Sequence, residues 1–464
     1  MVRPTCLIVA ALWLALPGCR SENRDIAGAS PTSTAAQPSS VPARDVLWDA
    51  VLGPSQGTWP EPAAEVVWRS DLPAALDEAR ETGRPLFVTA RCIPCKQCAD
   101  FDKDVLEGGP TLTPLLARFV TVRITDAAQL DLARLPVAGF QDLDLSWWGW
   151  FLSPQAQVYG VFGGRDEVSD GTRISAAALA NTLTRVLDHH ADPRRAGWAL
   201  DGAEVPRSVA ASSATELHGY ANWLAGNREA QSQPCLHCHQ VVDVLRQPAL
   251  DAGTYDKRRA FDVWPLPENV GLVLDRDDGL LVTEVIGSSA ADRAGLVAGD
   301  RLGAAGERKL FGQADLRGVL HRMANPTGSI ELHWLRDGRR HSATLELTDG
   351  WRSTVLDWRM SVSQGNAGAD PGFFPLVGKG VEMPDGGVAV EPYFGRGAAT
   401  SPAHHAGLRQ QHVIVAVDGQ APPSAGRGFL VWFRQRYEFG DEVVYTVIDD
   451  GTRRDIAMTL QPRG

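Results

Sequence analysis

The chain has 464 residues, enough for about three domains. Hydrophobic residues make up 44% and charged residues 22%, a balance that excludes a mainly disordered or collagen-like chain. The formal net charge of −11 sets nucleic acid and anionic lipid aside as main partners.

Arg3 supplies a short positive start, and Cys6 to Leu16 is an apolar stretch of 11 residues. That is too short to span a bilayer, which takes about 20 residues. Leu16-Pro17-Gly18-Cys19 follows. It resembles the lipobox of bacterial lipoproteins, which implies removal of residues 1–18 as a signal peptide and lipidation at Cys19. Cleavage by ordinary signal peptidase is the alternative, and both readings export the protein to the periplasm. Arg20 stands where inner-membrane lipoproteins carry Asp, so the resemblance favours an outer-membrane anchor. Residues 19–60 are rich in Ser, Pro, Ala and Thr and read as a disordered tether. Gly53-Pro54-Ser55-Gln56-Gly57 matches the hydrolase pattern G-x-S-x-G, but no strand precedes it and no helix follows, so it is a chance match.

Regular structure is expected from near Glu65. Leu72, Ala75, Leu76 and Ala79 lie on one helical face that stops at Gly83. Pro85 to Ala90 reads as a buried parallel strand and leads directly into Cys92. A second helix runs from about Pro94 to Glu107, with Cys98, Phe101 and Val105 on one stripe. Phe119 to Ile124 is another strand, residues 150–152 and 158–162 form a hairpin, and Ala176 to Leu187 is an amphipathic helix.

Cys92-Ile93-Pro94-Cys95 therefore sits between a strand and a helix N-terminus. Free N–H groups and the helix dipole stabilise a thiolate there, which makes Cys92 the nucleophile and Cys95 the resolving thiol. A permanent structural disulfide is the second reading, and a metal or iron–sulfur site with Cys98 the third. On the apolar stripe Cys98 reads as a core thiol. This stretch resembles the thioredoxin fold over about residues 66–190, from Trp68 through the C-x-P-C motif to the closing hairpin and helix. There are two departures, and one is the added thiol Cys98 three residues after Cys95. Thioredoxin-like oxidoreductases carry a cis-proline facing the disulfide just before the hairpin strand, and here that stretch is Leu143-Asp144-Leu145-Ser146-Trp147-Trp148.

Cys235-Leu236-His237-Cys238-His239 matches C-x-x-C-H, the attachment motif of c-type haem. In that reading Cys235 and Cys238 bear covalent haem c and His239 binds its iron. No Met lies between His239 and Trp264 to serve as a second axial ligand. A second dithiol or a Cys/His metal site are the rivals.

The remainder repeats internally. Ala294-Gly295-Leu296 answers Ala406-Gly407-Leu408 after 112 positions, and Asp337-Gly338 answers Asp450-Gly451 after 113. Each copy resembles the PDZ domains of bacterial envelope proteins. The resemblance implies capture of protein or peptide C-termini by strand addition, with the carboxylate held at Gly271, Leu272 and Val273 of the first copy. The second copy has Gln411-His412 in place of Gly299-Asp300, which puts its groove in more doubt. Packing without peptide binding is the alternative for either copy. No Gly-x-Ser-Gly-Gly stretch lies in 61–262, so a serine protease is rejected.

The fold class is thus multidomain, α/β plus mainly-β. The expected order is signal 1–18, tether 19–60, thioredoxin-like domain 61–192, irregular C-x-x-C-H segment 193–262, PDZ domain 263–350, linker 351–371 and a second PDZ-like domain 372–464. This order resembles a bacterial thioredoxin-fold/PDZ family, some of whose members look like selenoproteins. The resemblance implies envelope thiol–disulfide redox chemistry with a redox partner protein and a membrane anchor. A haem electron-transfer protein and a non-enzymatic scaffold with structural cysteines are the alternatives.

Overall fold

The first sheet has the strand order β1-β3-β2-β4-β5: Trp68–Arg69, Val120–Ile124, Leu86–Arg91, Trp147–Leu152 and Val158–Gly163. β1, β3 and β2 are parallel, β4 runs antiparallel to β2, and β5 runs antiparallel to β4. This is the arrangement that the thioredoxin resemblance implied. The computed structural model describes residues 44–91, 96–135, 142–144, 147–164, 175–194, 211–227, 231, 236–352, 356–383 and 386–461.

Helix α1 (Arg44–Leu52) falls inside the stretch expected as a tether. The polar, Pro-rich composition hid a short apolar face. Trp48 stacks on His333 with ring centres 3.7 Å apart, and Leu52 lies against Gly303. The G-x-S-x-G match is structural too, because the Ser55 hydroxyl donates to the Asp188 carbonyl at 2.9 Å.

Helix α2 (Leu72–Thr82) buries the four residues that the periodicity picked out. Asp71 caps its start by accepting the Ala74 N–H, and Gly83 ends it at φ +69°. Helices α3 (Lys96–Glu107), α4 (Gly109–Leu116) and α5 (Ala176–Ala191) lie on the opposite face. They pack Phe101, Val105, Leu112, Leu179 and Leu183 against Phe87, Trp147 and Phe151.

Among its described residues the link from β3 to β4 forms a single 3-10 turn, Ala127–Gln129, and no α-helix. The sheet face beside α2 would stand bare there. Helices α6 (Tyr220–Gly226) and α7 (Cys238–Asp251) cover it. Trp223, Leu236, Cys238, Val241 and Val244 join the same apolar cluster as Leu86, Val88, Trp148 and Trp150. The C-x-x-C-H segment thus packs as part of the thioredoxin-like core.

The first repeat holds β6 (Leu272–Leu274), β7 (Val282–Val285), β8 (Arg301–Ala305), β9 (Arg308–Lys309), helix α8 (Gln313–Arg322), β10 (Gly328–Arg336) and β11 (Arg339–Leu347). Helix α9 (Met360–Ser363) lies in the linker. The second repeat holds β12 (Phe374–Val377), β13 (Val390–Tyr393), β14 (Val413–Val417), helix α10 (Gly426–Arg436), β15 (Glu442–Asp449) and β16 (Thr452–Thr459). Equivalent positions share backbone solutions. Ser289 and Ser401 both cap the helical turn that follows them. Asp337 and Asp450 both take positive φ before a Gly, the Asp-Gly hairpin turn that the sequence signalled.

Candidate functional site

Cys19, Cys92, Cys95 and Cys235 lie outside the described residues. The framework around the first pair is described. Arg91 ends β2 immediately before Cys92 and stands opposite Trp147 of β4. Asp102, one turn beyond Cys98 on α3, is buried behind this strand end. Its carboxylate lies 2.9 Å from Arg91 Nε and 2.6 Å from Arg123 Nη2, and Trp147 Nε1 donates to it at 3.3 Å. Two guanidinium groups share one carboxylate, so the cluster carries a net positive charge. A cation buried near a cysteine favours its thiolate. The sequence reading missed these three residues. The available signal was a carboxylate inside the apolar stripe of Phe101 and Val105, where charge is rare unless paired.

The segment entering β4 carries a second charge cluster. Asp142 accepts from Arg359 at 2.8 Å and from Arg317 of α8 at 2.7 Å. Asp144 lies 3.3 Å from Arg359 and accepts from the Ser361 N–H at 2.8 Å and its hydroxyl at 2.5 Å. Arg359 also donates to the carbonyls of Val263 and Trp264, and Trp358 covers its face at 4.4 Å. Burial pushes the Asp142 carboxyl up, but Arg359 and Arg317 overcome this and hold it below the usual range. Two carboxylates thus meet two guanidinium groups contributed by the C-terminal half.

Of the second motif, Cys238 begins α7 and is 5% exposed in the apolar cluster. His239 is half-buried, and its Nδ1 is buried without a hydrogen-bond partner among the described residues. Burial of the ring, with His237 and Arg427 nearby, lowers its pKa to about 3, so the imidazole stays neutral. Further along α7, burial raises Asp243 to about 7 despite Arg246. Among the described residues no group of three His, Cys, Asp or Glu side chains is placed to hold a metal.

In the first repeat Gly271 has φ +93°, and a Cβ there would meet Ser289 Oγ at 1.9 Å. Its N–H already donates to the Glu268 carbonyl at 3.0 Å. Leu272 is buried in the repeat's core, and Val273 pairs with Glu284 of β7. Helix α8, which would form the far wall of a peptide groove, is buried from Gln313 to Leu320. The reason is β5. Asp315 of α8 accepts the Val161 N–H at 3.0 Å, Arg308 donates to the Val158 carbonyl at 3.2 Å, and Phe311 sits over Gly160. This closes an otherwise bare sheet edge.

The second repeat differs. β12 is an edge strand with α10 beside it. Phe374 and Leu376 are each 41% exposed, Val377 64% and Tyr393 of β13 45%. Pro375 faces Pro392, a pair with no N–H to exchange. Gly372 at φ +81° matches Gly271, with Ser401 Oγ donating to its carbonyl at 2.6 Å.

The sequence profile of a family described as thioredoxin-like matches residues 67–136. That span runs from β1 through the end of β3 and contains Cys92 and Cys95. Among solved structures the chain is similar to an HtrA-type protease, AlgW with decapeptide, at 14% identity and a TM-score of 0.18. The match covers 30% of this chain and spans half the length of that one. No curated protein matches the chain. The protein therefore contains a thioredoxin-like domain, which points to redox-type chemistry.

Proposed function

We propose that the protein is an exported thiol–disulfide oxidoreductase of thioredoxin-like type, anchored to the envelope membrane through lipid on Cys19. The observation that carries this reading is the thioredoxin-like match over 67–136, which spans the strand–Cys92-Ile93-Pro94-Cys95–helix junction. The charge of Arg91 and Arg123 around Asp102 supports a thiolate at Cys92. The Cys92 thiolate attacks one sulfur of a partner disulfide and releases the other as a thiolate that takes a proton. Cys95 then attacks the mixed disulfide, giving a Cys92–Cys95 disulfide and a fully reduced partner. The reverse sequence oxidises a partner dithiol. Limited alkylation of the reduced protein near neutral pH should label Cys92 first, and Cys95→Ser should accumulate a mixed disulfide through Cys92. Faster labelling of Cys98 overturns this assignment. Cys19→Ala should move the protein from the membrane to the soluble fraction.

The repeats serve partner recruitment and packing. In this reading the first copy is a packing module, because α8 is committed to β5. The second copy takes the extended C-terminal peptide, along the exposed edge of β12.

A second reading concerns Cys235, Cys238 and His239. A neutral imidazole with a buried, unpartnered nitrogen suits a ligand role. A Cys238 side chain within the close-packed apolar cluster suits a thiol or disulfide better than a thioether to a macrocycle. A dithiol or disulfide is the assignment we favour. Expression with a cytochrome maturation system tests it: a haem stain that survives denaturation would overturn it.

A further inference from the structure

Helix α7 buries a carboxyl group that neither thiol exchange nor peptide capture uses. We propose that Asp243 is a proton-operated latch: carrying a proton, it lets the linker 360–367 close over α7 and hold the second repeat there, and losing that proton it loosens the linker. The latch is independent of any thiol chemistry.

The geometry calls for a neutral group. Asp243 is 3% exposed, and its Oδ1 is buried without a hydrogen-bond partner among the described residues. The linker passes directly over it. A Cβ at Gly365 would meet Oδ1 at 2.0 Å and Oδ2 at 2.7 Å, so the chain leaves no room for water on that side. Asn366 Nδ2 donates to the Asp243 carbonyl and to Gln247 Oε1, each at 3.0 Å, which fastens the linker to α7. Asn366 Oδ1 and Ser363 Oγ are also buried without partners among the described residues. This corner thus holds three oxygens with unmet hydrogen bonds. A carboxyl proton adds a donor there, whereas a carboxylate adds a buried charge.

The nearby cations are engaged elsewhere. Arg246, one turn further along α7, lies 3.6 Å from Oδ1 but donates to the Ser361 carbonyl. Arg434 of α10 donates to the Val362 carbonyl. Asp144 of the segment entering β4 and Tyr255 beyond α7 face the same corner, and the linker itself brings no ionisable group. Burial, with Asp144 adding, pushes Asp243 up to about 7, against Arg246, Arg434 and the Asn366 N–H. Val362 and Ala367 share one apolar cluster with Val431 of α10, which ties the linker to the second repeat. In the open form the carboxyl regains water and its ordinary pKa, about 4. Ionisation therefore favours opening, which grows as pH rises from that range to about 7 and levels off above it.

Amide exchange of the mature full-length chain, corrected for intrinsic exchange rates, provides the test. Between about pH 4.5 and 6.5 the opening of residues 360–367 should grow roughly tenfold per pH unit, then level off above about pH 7.5. β2 and β3 should stay at least about tenfold better protected at every pH. Asp243→Asn should give an opening that no longer varies with pH. Asn366→Ala removes the two bonds that fasten the linker and should raise opening about fivefold or more at every pH, with the wild-type slope. A wild-type opening that ignores pH, a slope that survives in Asp243→Asn, or a linker that opens only together with β2 and β3 overturns the latch. If Asp243→Asn does not fold, an Asn366→Ala protein with wild-type opening overturns it as well.

Discussion

The two repeats solve one local problem with different chemistry, and this yields a sharp prediction. In the first, buried Asp300 accepts the Val297 N–H at 2.9 Å and pairs with Arg336 at 2.7 Å. In the second, buried His412 takes the same place. Its Nδ1 accepts the Arg409 N–H at 3.1 Å, and its Nε2 lies 2.8 Å from Arg454 Nη2 and 3.4 Å from Asp449. His412→Ala leaves that N–H without its acceptor, a cost of about 1–3 kcal/mol. Unfolding entropy is about 2 cal/mol/K per residue, so a second repeat that melts alone should lose roughly 5–15 °C. A repeat that melts together with the rest of the chain should lose only about 1–4 °C. The imidazole must also stay neutral to accept. Burial lowers its pKa, with Arg454 and Arg409 adding and Asp449 opposing. The stability it contributes is therefore full above the ordinary histidine range and is lost as pH falls through about 6.5 toward its folded value. His412→Asp should keep the acceptor and flatten that acid loss, with Arg454 at hand to pair the new carboxylate. Thermal melts of wild type, His412→Ala and His412→Asp at pH 7.5 and 5.0, with amide exchange over residues 402–417, measure both effects. A His412→Ala protein with unchanged melting and exchange refutes the reasoning. So does a His412→Asp protein with the wild-type acid slope.

Three further outcomes follow from the geometry. Asp243 is pushed up to about 7 from the ordinary carboxylate range, so its ionisation opposes folding progressively between about pH 4 and pH 7, and Asp243→Asn should raise the melting temperature more at pH 8 than at pH 4. Val377→Asp should abolish binding of an apolar C-terminal peptide, read by fluorescence polarisation, while Leu274→Asp in the first repeat should leave it within about twofold. Asp102→Asn strips the carboxylate from Arg91 and Arg123 and should lower the apparent pKa of the alkylated thiol by about one unit, whereas Arg91→Gln should raise it.

The sequence by itself determined the local elements and the repeat. Leu72, Ala75, Leu76 and Ala79 specified one buried face of α2, and Asp337-Gly338 with Asp450-Gly451 specified two matching turns, because period and turn chemistry act over a few residues. The strand–C-x-P-C–helix order was equally legible, and the thioredoxin-like match follows it. What lay between distant segments was not. Nothing in Asp142, Arg317 and Arg359 taken singly announces a shared charge lattice, since their partners lie 175 and 217 positions away. Nor does a C-x-x-C-H motif reveal that its helix fills a sheet face that no α-helix among the described residues of the β3–β4 link covers. The proposed division of labour between the two repeats rests on tertiary contacts for the same reason. The first has the better motif but its helix is spent on closing the β5 edge, while the second keeps an open strand. Periodicity records which face of an element is buried, but only the folded chain decides what buries it.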